Sequence, residues 1–230
     1  MSKSLTARLG FWSSMTGLFC FLVYVIAFAG IALSGPAFVW TDINAFVLYN
    51  TQYSQFFKYL AMTFMLVYAI AYVIQIVCLG EYAMPEKCIW GRLAALFALG
   101  FACLTGTNYF IQLTAVRLQI ASGQYDGLMQ LVMSYPISAV AAVNMLGWTV
   151  FSGLGSLFVS FSLGTGRRER AVRWSFFANG IVMLLGCVGY ALDSFIVIFL
   201  CMYLGLGGTV FAMTISECFL FRERRAANPV

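Results

Sequence analysis

Three side chains near the middle of the sequence have the type and spacing to hold a ligand. Thr105, Asn108 and Gln112 fall at i, i+3 and i+7, which puts them on one face of a helix. Asn144 joins them from the next apolar stretch. Counted inward from Pro136 at 1.5 Å per residue, Asn144 lies about 12 Å deep. Counted from Gln119, Gln112 and Asn108 lie at about 10 and 16 Å. The three amides therefore sit at matching depths and can meet across a helix pair. Arg117 lies just above them, about 140° around the helix from Gln112, where its long side chain snorkels to water or pairs with Asp126, Asp193 or Asp42.

Two readings of this constellation stand side by side. In one, the amides are interhelical glue worth about 0.6–2 kcal/mol each, and Arg117 is an interface anchor. In the other, Asn108, Gln112, Asn144 and Arg117 line an outward-opening polar pocket, with the guanidinium gripping an anionic or headgroup-like ligand. Neutral amides suit hydrogen bonding to a headgroup better than ion permeation.

Other chemistry is sparse. The chain has no histidine, which excludes His-ligated haem, most zinc sites and Ser-His-Asp catalysis. Cys20, Cys78, Cys88, Cys103, Cys187, Cys201 and Cys218 occur singly, with no CxxC pair, and read as small hydrophobes. No cofactor or metal is implied, and no phosphate loop, dinucleotide fingerprint or nucleophile elbow is present. Glu217 is the one carboxylate within an apolar stretch. Its position about a turn from the basic tail predicts pairing with Arg92, Arg173 or Arg222. Gln75 and Asn179 read as glue. Gly205, Gly207 and Gly208, like Gly147, Gly153 and Gly155, serve either close helix packing or a broken helix, with packing favoured.

The composition says what must position these groups. Of 230 residues, 62% are hydrophobic and 9% charged, with a mean hydropathy of +0.90. A soluble domain carries about 25% charged residues, so this is an all-α membrane protein. Six spans are predicted, at about 11–34, 59–80, 93–116, 137–164, 175–192 and 195–221, in one domain over 1–230. A basic turn, Arg167 to Arg173, separates the fourth from the fifth. Lys3 and Arg8 before an apolar run resemble a signal peptide ending at Ala32-Leu33-Ser34, but the stretch exceeds a typical signal core and reads as a retained span.

Lysine and arginine bias sets the orientation. With both termini cytoplasmic, 11 of the 13 basic residues fall inside, leaving Lys58 and Arg117 outside. These charges sit in short connections, so the formal +5 does not point to nucleic acid. The two longer external connections mix aromatic and apolar residues, as in Phe46-Val47-Leu48-Tyr49 and Leu128-Met129-Gln130-Leu131-Val132. Both are expected to lie in the interface plane as short helices with their apolar side in lipid. No internal repeat is found between the two halves.

The run Asn108-Tyr109-Phe110-Ile111-Gln112-Leu113-Thr114-Ala115-Val116-Arg117 is followed by Gly127-Leu128, Tyr135-Pro136 and Leu146-Gly147-Trp148. Together these resemble a group of uncharacterised bacterial six-helix integral membrane proteins, over about 40 residues from Asn108 to Trp148. That group often has proline where Leu118 stands and an acid at the position of Asn144, so any charge-based mechanism carries over less well. The resemblance implies a bacterial inner-membrane setting and a coherent third-to-fourth helix hairpin. It brings no activity.

The leading expectation is a non-enzymatic, multi-pass protein binding a small amphiphile or lipid headgroup in the outer leaflet, a role compatible with a transport cycle. The alternative is a structural or assembly subunit that packs against a membrane protein partner or a second copy of itself. An enzyme would need a carboxylate pair or an activated cysteine; a buried cluster of Asp42, Asp126 and Asp193 would supply one.

Overall fold

The computed structural model describes residues 3–227; residues 1–2 and 228–230 of the expected single domain lie outside the described residues. Six helices are long and apolar enough to cross a membrane: α1 (Lys3–Ser34), α3 (Phe56–Gly80), α4 (Pro85–Ser122), α5 (Ala139–Ser162), α6 (Arg167–Ala191) and α7 (Phe195–Ala227). A shorter helix, α2 (Ile43–Gln52), lies in the first long connection. Among the described residues there is no strand.

Five of these six helices overrun the predicted spans, because hydropathy registers the apolar stretch and misses the polar turns continuing it; α5 instead stops two residues short at each end. The clearest correction is the basic turn. Arg167, Arg168, Arg170 and Arg173 are the first two turns of α6 rather than a loop, with Glu169 bonded back to Gly166 N at 3.3 Å. An acid in the first turn complements the helix dipole and helps start a helix on so basic a sequence.

α1 packs along α3 and α7, α3 along α4, and α5 against α4 and α6. Small residues permit these approaches. The buried face of α1 is Thr6, Ala7, Gly10, Ser13, Ser14 and Gly17, with no large side chain until Phe21. The first and last described turns meet at one end of the bundle, where the Arg225 guanidinium lies 5.2 Å from the centre of the Phe11 ring and Tyr82 OH donates to Lys3 O at 3.2 Å. We call this the termini end.

The opposite end, the loop end, carries both long connections, and they pack on each other. Phe46 of α2 is buried with Val116, Leu128 and Val132, and Trp40 stacks on Tyr135 at 4.6 Å. This corrects the expectation that each lies with its apolar side in lipid: much of that surface is buried between them. Asp42 caps α2, accepting from Asn44 N and Ala45 N at 2.8 and 3.0 Å. The second connection forms a single 3-10 turn, Leu128–Gln130, instead of an interfacial helix. Gly123 and Gly127 adopt φ of +71° and +74°, the left-handed conformation that glycine takes without strain.

Three spanning helices widen locally into i→i+5 turns, at Gln112–Val116 in α4, Gly147–Phe151 in α5 and Phe199–Gly205 in α7. Such turns are rare and concentrate at functional sites. Around the last of them the glycines differ in role. Gly205 packs on Val182, whereas Gly207 and Gly208 meet nothing within 4 Å. The helix is widened there, not broken. Gly147, Gly153 and Gly155 all lie against neighbouring helices.

Candidate functional site

Two of the widened turns flank the amides singled out in the sequence. Gln112 opens the turn in α4, and Asn144 lies just before the turn in α5. Asn108 and Gln112 are buried; Asn144 is half-buried. All three converge on the connection between α4 and α5. Gln112 Nε2 donates to Leu131 O at 2.7 Å, and its Oε1 accepts from Met133 N at 3.1 Å. Asn108 Nδ2 lies 3.1 Å from Met133 Sδ, and Asn144 Nδ2 lies 3.9 Å from the same sulfur.

That sulfur is a poor partner for two amides, because a thioether is a weak acceptor. The other ends of both side chains fare worse: Asn108 Oδ1 and Asn144 Oδ1 are enclosed and have no hydrogen-bond partner. Buried acceptors left in this state cost about 1–3 kcal/mol each. Ser138, fully buried, fastens the far end of the connection by donating to Val132 O at 2.8 Å and accepting from Ala141 N at 3.1 Å.

Arg117 does not join the group. It is exposed, and its Nε donates to Leu113 O of its own helix at 3.0 Å. Asp42, Asp126 and Asp193 are each exposed and form no buried cluster.

Beneath the amides lies an aromatic floor. Trp148 donates its indole N–H to Tyr109 OH at 2.9 Å and stacks on Tyr68 with 11° between the planes. Below it, four helices share a polar chain. Tyr72 OH and Ser156 Oγ are 2.9 Å apart, Asn179 Nδ2 donates to Ser156 Oγ at 2.8 Å, and Thr209 Oγ1 donates to Asn179 Oδ1 at 2.8 Å. A cavity of about 10 Å³ between this chain and Trp148 has room for roughly one water. Asn179 thus bonds as the glue it was read to be.

Sequence reading missed Met133, Tyr72, Ser156 and Thr209. The buried serines Ser152, Ser156 and Ser160, four apart on α5, were a visible signal for the polar chain. The expected arginine partner of Glu217 is absent among the described residues. Glu217 is instead fully enclosed, with Ser14 Oγ 3.5 Å from its Oε2. Ion pairs at this end involve other arginines: Arg168 pairs with Glu223 at 3.4 Å, and Arg224 with Glu169. The small-hydrophobe reading holds for Cys20, Cys78 and Cys201, which are buried, while Cys88 and Cys103 are exposed.

Fold and site together define a multi-span helical membrane protein with a polar seam running through its bundle. No family model, no curated protein and no solved structure matches the chain.

Proposed function

We propose that this is a non-enzymatic protein of a bacterial inner membrane, with both termini cytoplasmic, that binds the headgroup of a lipid or small amphiphile in the outer leaflet. The observation that carries the reading is the pair of enclosed, unpartnered oxygens, Asn108 Oδ1 and Asn144 Oδ1, either side of Met133. A headgroup bearing hydroxyl or amine donors satisfies both oxygens once the flexible Met133 side chain swings aside. Gln112 keeps the Leu131–Met133 backbone in register and so shapes the rim. Arg117, exposed at the same end, meets the phosphate or carboxylate of such a ligand. Placement of 11 of the 13 basic residues on one side supports the orientation. Binding of this kind fits a step in transport of the amphiphile.

Native mass spectrometry of gently purified protein tests the site, with wild type beside Asn144→Leu and Arg117→Ala. A defined adduct retained by wild type and lost in both variants supports the pocket and identifies its ligand. No specific adduct, with lowered stability in Asn144→Leu alone, makes the amides glue.

One observation favours a second reading, that of an assembly subunit. Gly207 and Gly208 present open backbone at the middle of α7, where a helix of a partner membrane protein or of a second copy can approach closely. The same spectra report it directly, as a complex retained by wild type and lost in Gly208→Leu.

A further inference from the structure

Glu217 sits where α1, α3 and α7 meet, and it is unusual in three respects. It is completely enclosed. Its Oε1 has no hydrogen-bond partner. Its Oε2 has only Ser14 Oγ at 3.5 Å, and that hydroxyl already donates to Gly10 O at 2.8 Å.

A second orphan lies on the neighbouring helix. Gln75 of α3 reaches the same turn of α1, donating through Nε2 to Ser13 O at 2.9 Å. Its Oε1 is enclosed and likewise unpartnered. Gly17 makes room for this arrangement, since a methyl there would overlap Gln75 Nε2 and lie 3.6 Å from Thr214 Cγ2, less than one turn from Glu217. A carboxylate, an amide oxygen and a hydroxyl, from three helices, therefore approach one turn of α1. All are hard oxygen donors.

An acceptor-only group buried in a bundle calls for a positive charge. Among the described residues the chain supplies none here. α1 contributes Ser13 and Ser14; α3 contributes Gln75, Tyr68, Tyr72 and Cys78; α7 itself adds Cys218. Ser175 of α6 bonds to Ser216 at 3.1 Å. Among the described residues no basic side chain forms an ion pair with Glu217.

We propose that Glu217, with Gln75 Oε1 and Ser14 Oγ, is an exchangeable site for one monovalent cation, either a proton or an alkali ion. A single carboxylate matches a single charge. Because its donors come from α1, α3 and α7, occupancy ties those helices together and release loosens them. The site lies toward the termini end, remote from the amides around Met133, and does not depend on what they bind.

Infrared difference spectroscopy of the protein in lipid tests this, with wild type beside Glu217→Gln, Glu217→Asp and Gln75→Leu. Buffer pH is first stepped across the neutral range without alkali ions; sodium, potassium and lithium are then added at fixed pH. The expected result is loss of a protonated-carboxyl band and gain of a carboxylate band as pH rises, both missing from Glu217→Gln and shifted in Glu217→Asp. An exchange at fixed pH driven by one alkali ion identifies that ion. Titration indifferent to all three identifies the proton. Gln75→Leu moves the titration midpoint if its oxygen belongs to the site. Wild-type spectra unaltered in the carboxyl region by pH and by all three ions overturn the proposal, even if the variants do not fold.

Discussion

Gln112 grips Met133 from below: its Oε1 takes the Met133 amide proton at 3.1 Å while its Nε2 holds Leu131 O, two residues earlier, at 2.7 Å. One side chain on a spanning helix thereby satisfies two backbone groups of an irregular connection. The widened turn that begins at Gln112 offers the local adjustment that lets it reach. The connection is held at its middle by Gln112 and at its far end by Ser138.

Gln112→Leu should therefore release the connection without unfolding the bundle. Two hydrogen bonds are lost, worth about 0.6 kcal/mol each in a membrane setting and up to about 1.7. Hydrogen exchange at the Met133 and Leu131 region should accelerate at least several-fold, while exchange in α1 and α6 stays at wild-type rates. Unchanged exchange near Met133 would mean that the Phe46, Leu128 and Val132 cluster alone holds the strap.

Trp148 and Tyr109 form a pair suited to a double-mutant cycle. Each is largely buried, and the indole N–H to hydroxyl bond spans α4 and α5 at 2.9 Å. Tyr109→Phe should cost about 1 kcal/mol in reversible unfolding from mixed micelles. Trp148→Phe should cost more, through lost packing on Tyr68 and Phe101. The double variant should cost less than the sum by about the value of the bond; strict additivity would show that the bond contributes nothing.

Asn179 is the hub of the polar chain, holding Ser156 on α5 and Thr209 on α7 from its own place on α6. Asn179→Leu should lower stability by about 1–3 kcal/mol, since it removes two interhelical hydrogen bonds, while Ser156 keeps Tyr72 OH and Thr209 keeps Gly205 O. Thr209→Val removes only one of the two contacts and should cost less than half as much. Equal losses in the two variants, measured in the same micelles, would place the energy in α7 packing and not in the hydrogen bonds.

The six spans were legible because each carries about twenty apolar residues, a length the sequence displays directly. The start of α6 was not, because four arginines in two turns look like a loop to hydropathy although they make a sound helix. Convergence of Asn108, Gln112 and Asn144 followed from their depths. Met133 was hidden, since nothing in a connection's composition fixes the path it takes back over the helices. Glu217 was assigned arginine neighbours, and the structure gives it Ser14 of α1 instead. Depth is read along a helix, whereas partners depend on rotation about its axis. The spacing of Gly10, Ser14 and Gly17 on α1 was the available signal that a tightly packed face awaited α7.

Glycines of α6 and α7 supply a matched contrast. A methyl at Gly180 would stand 2.5 Å from Leu157 Cγ and 2.9 Å from Gly153 O, so α5 and α6 would have to separate. Backbone cannot yield as a side-chain end can, and Gly180→Ala should cost about 1–3 kcal/mol of bundle stability. Gly208 meets nothing within 4 Å, so Gly208→Ala meets no steric penalty within the chain and gains up to about 1 kcal/mol from helix propensity. Unfolding of the two variants should therefore shift in opposite directions. Should Gly208→Ala instead destabilise the protein only at concentrations where a complex forms, the open glycine face is where a second helix docks.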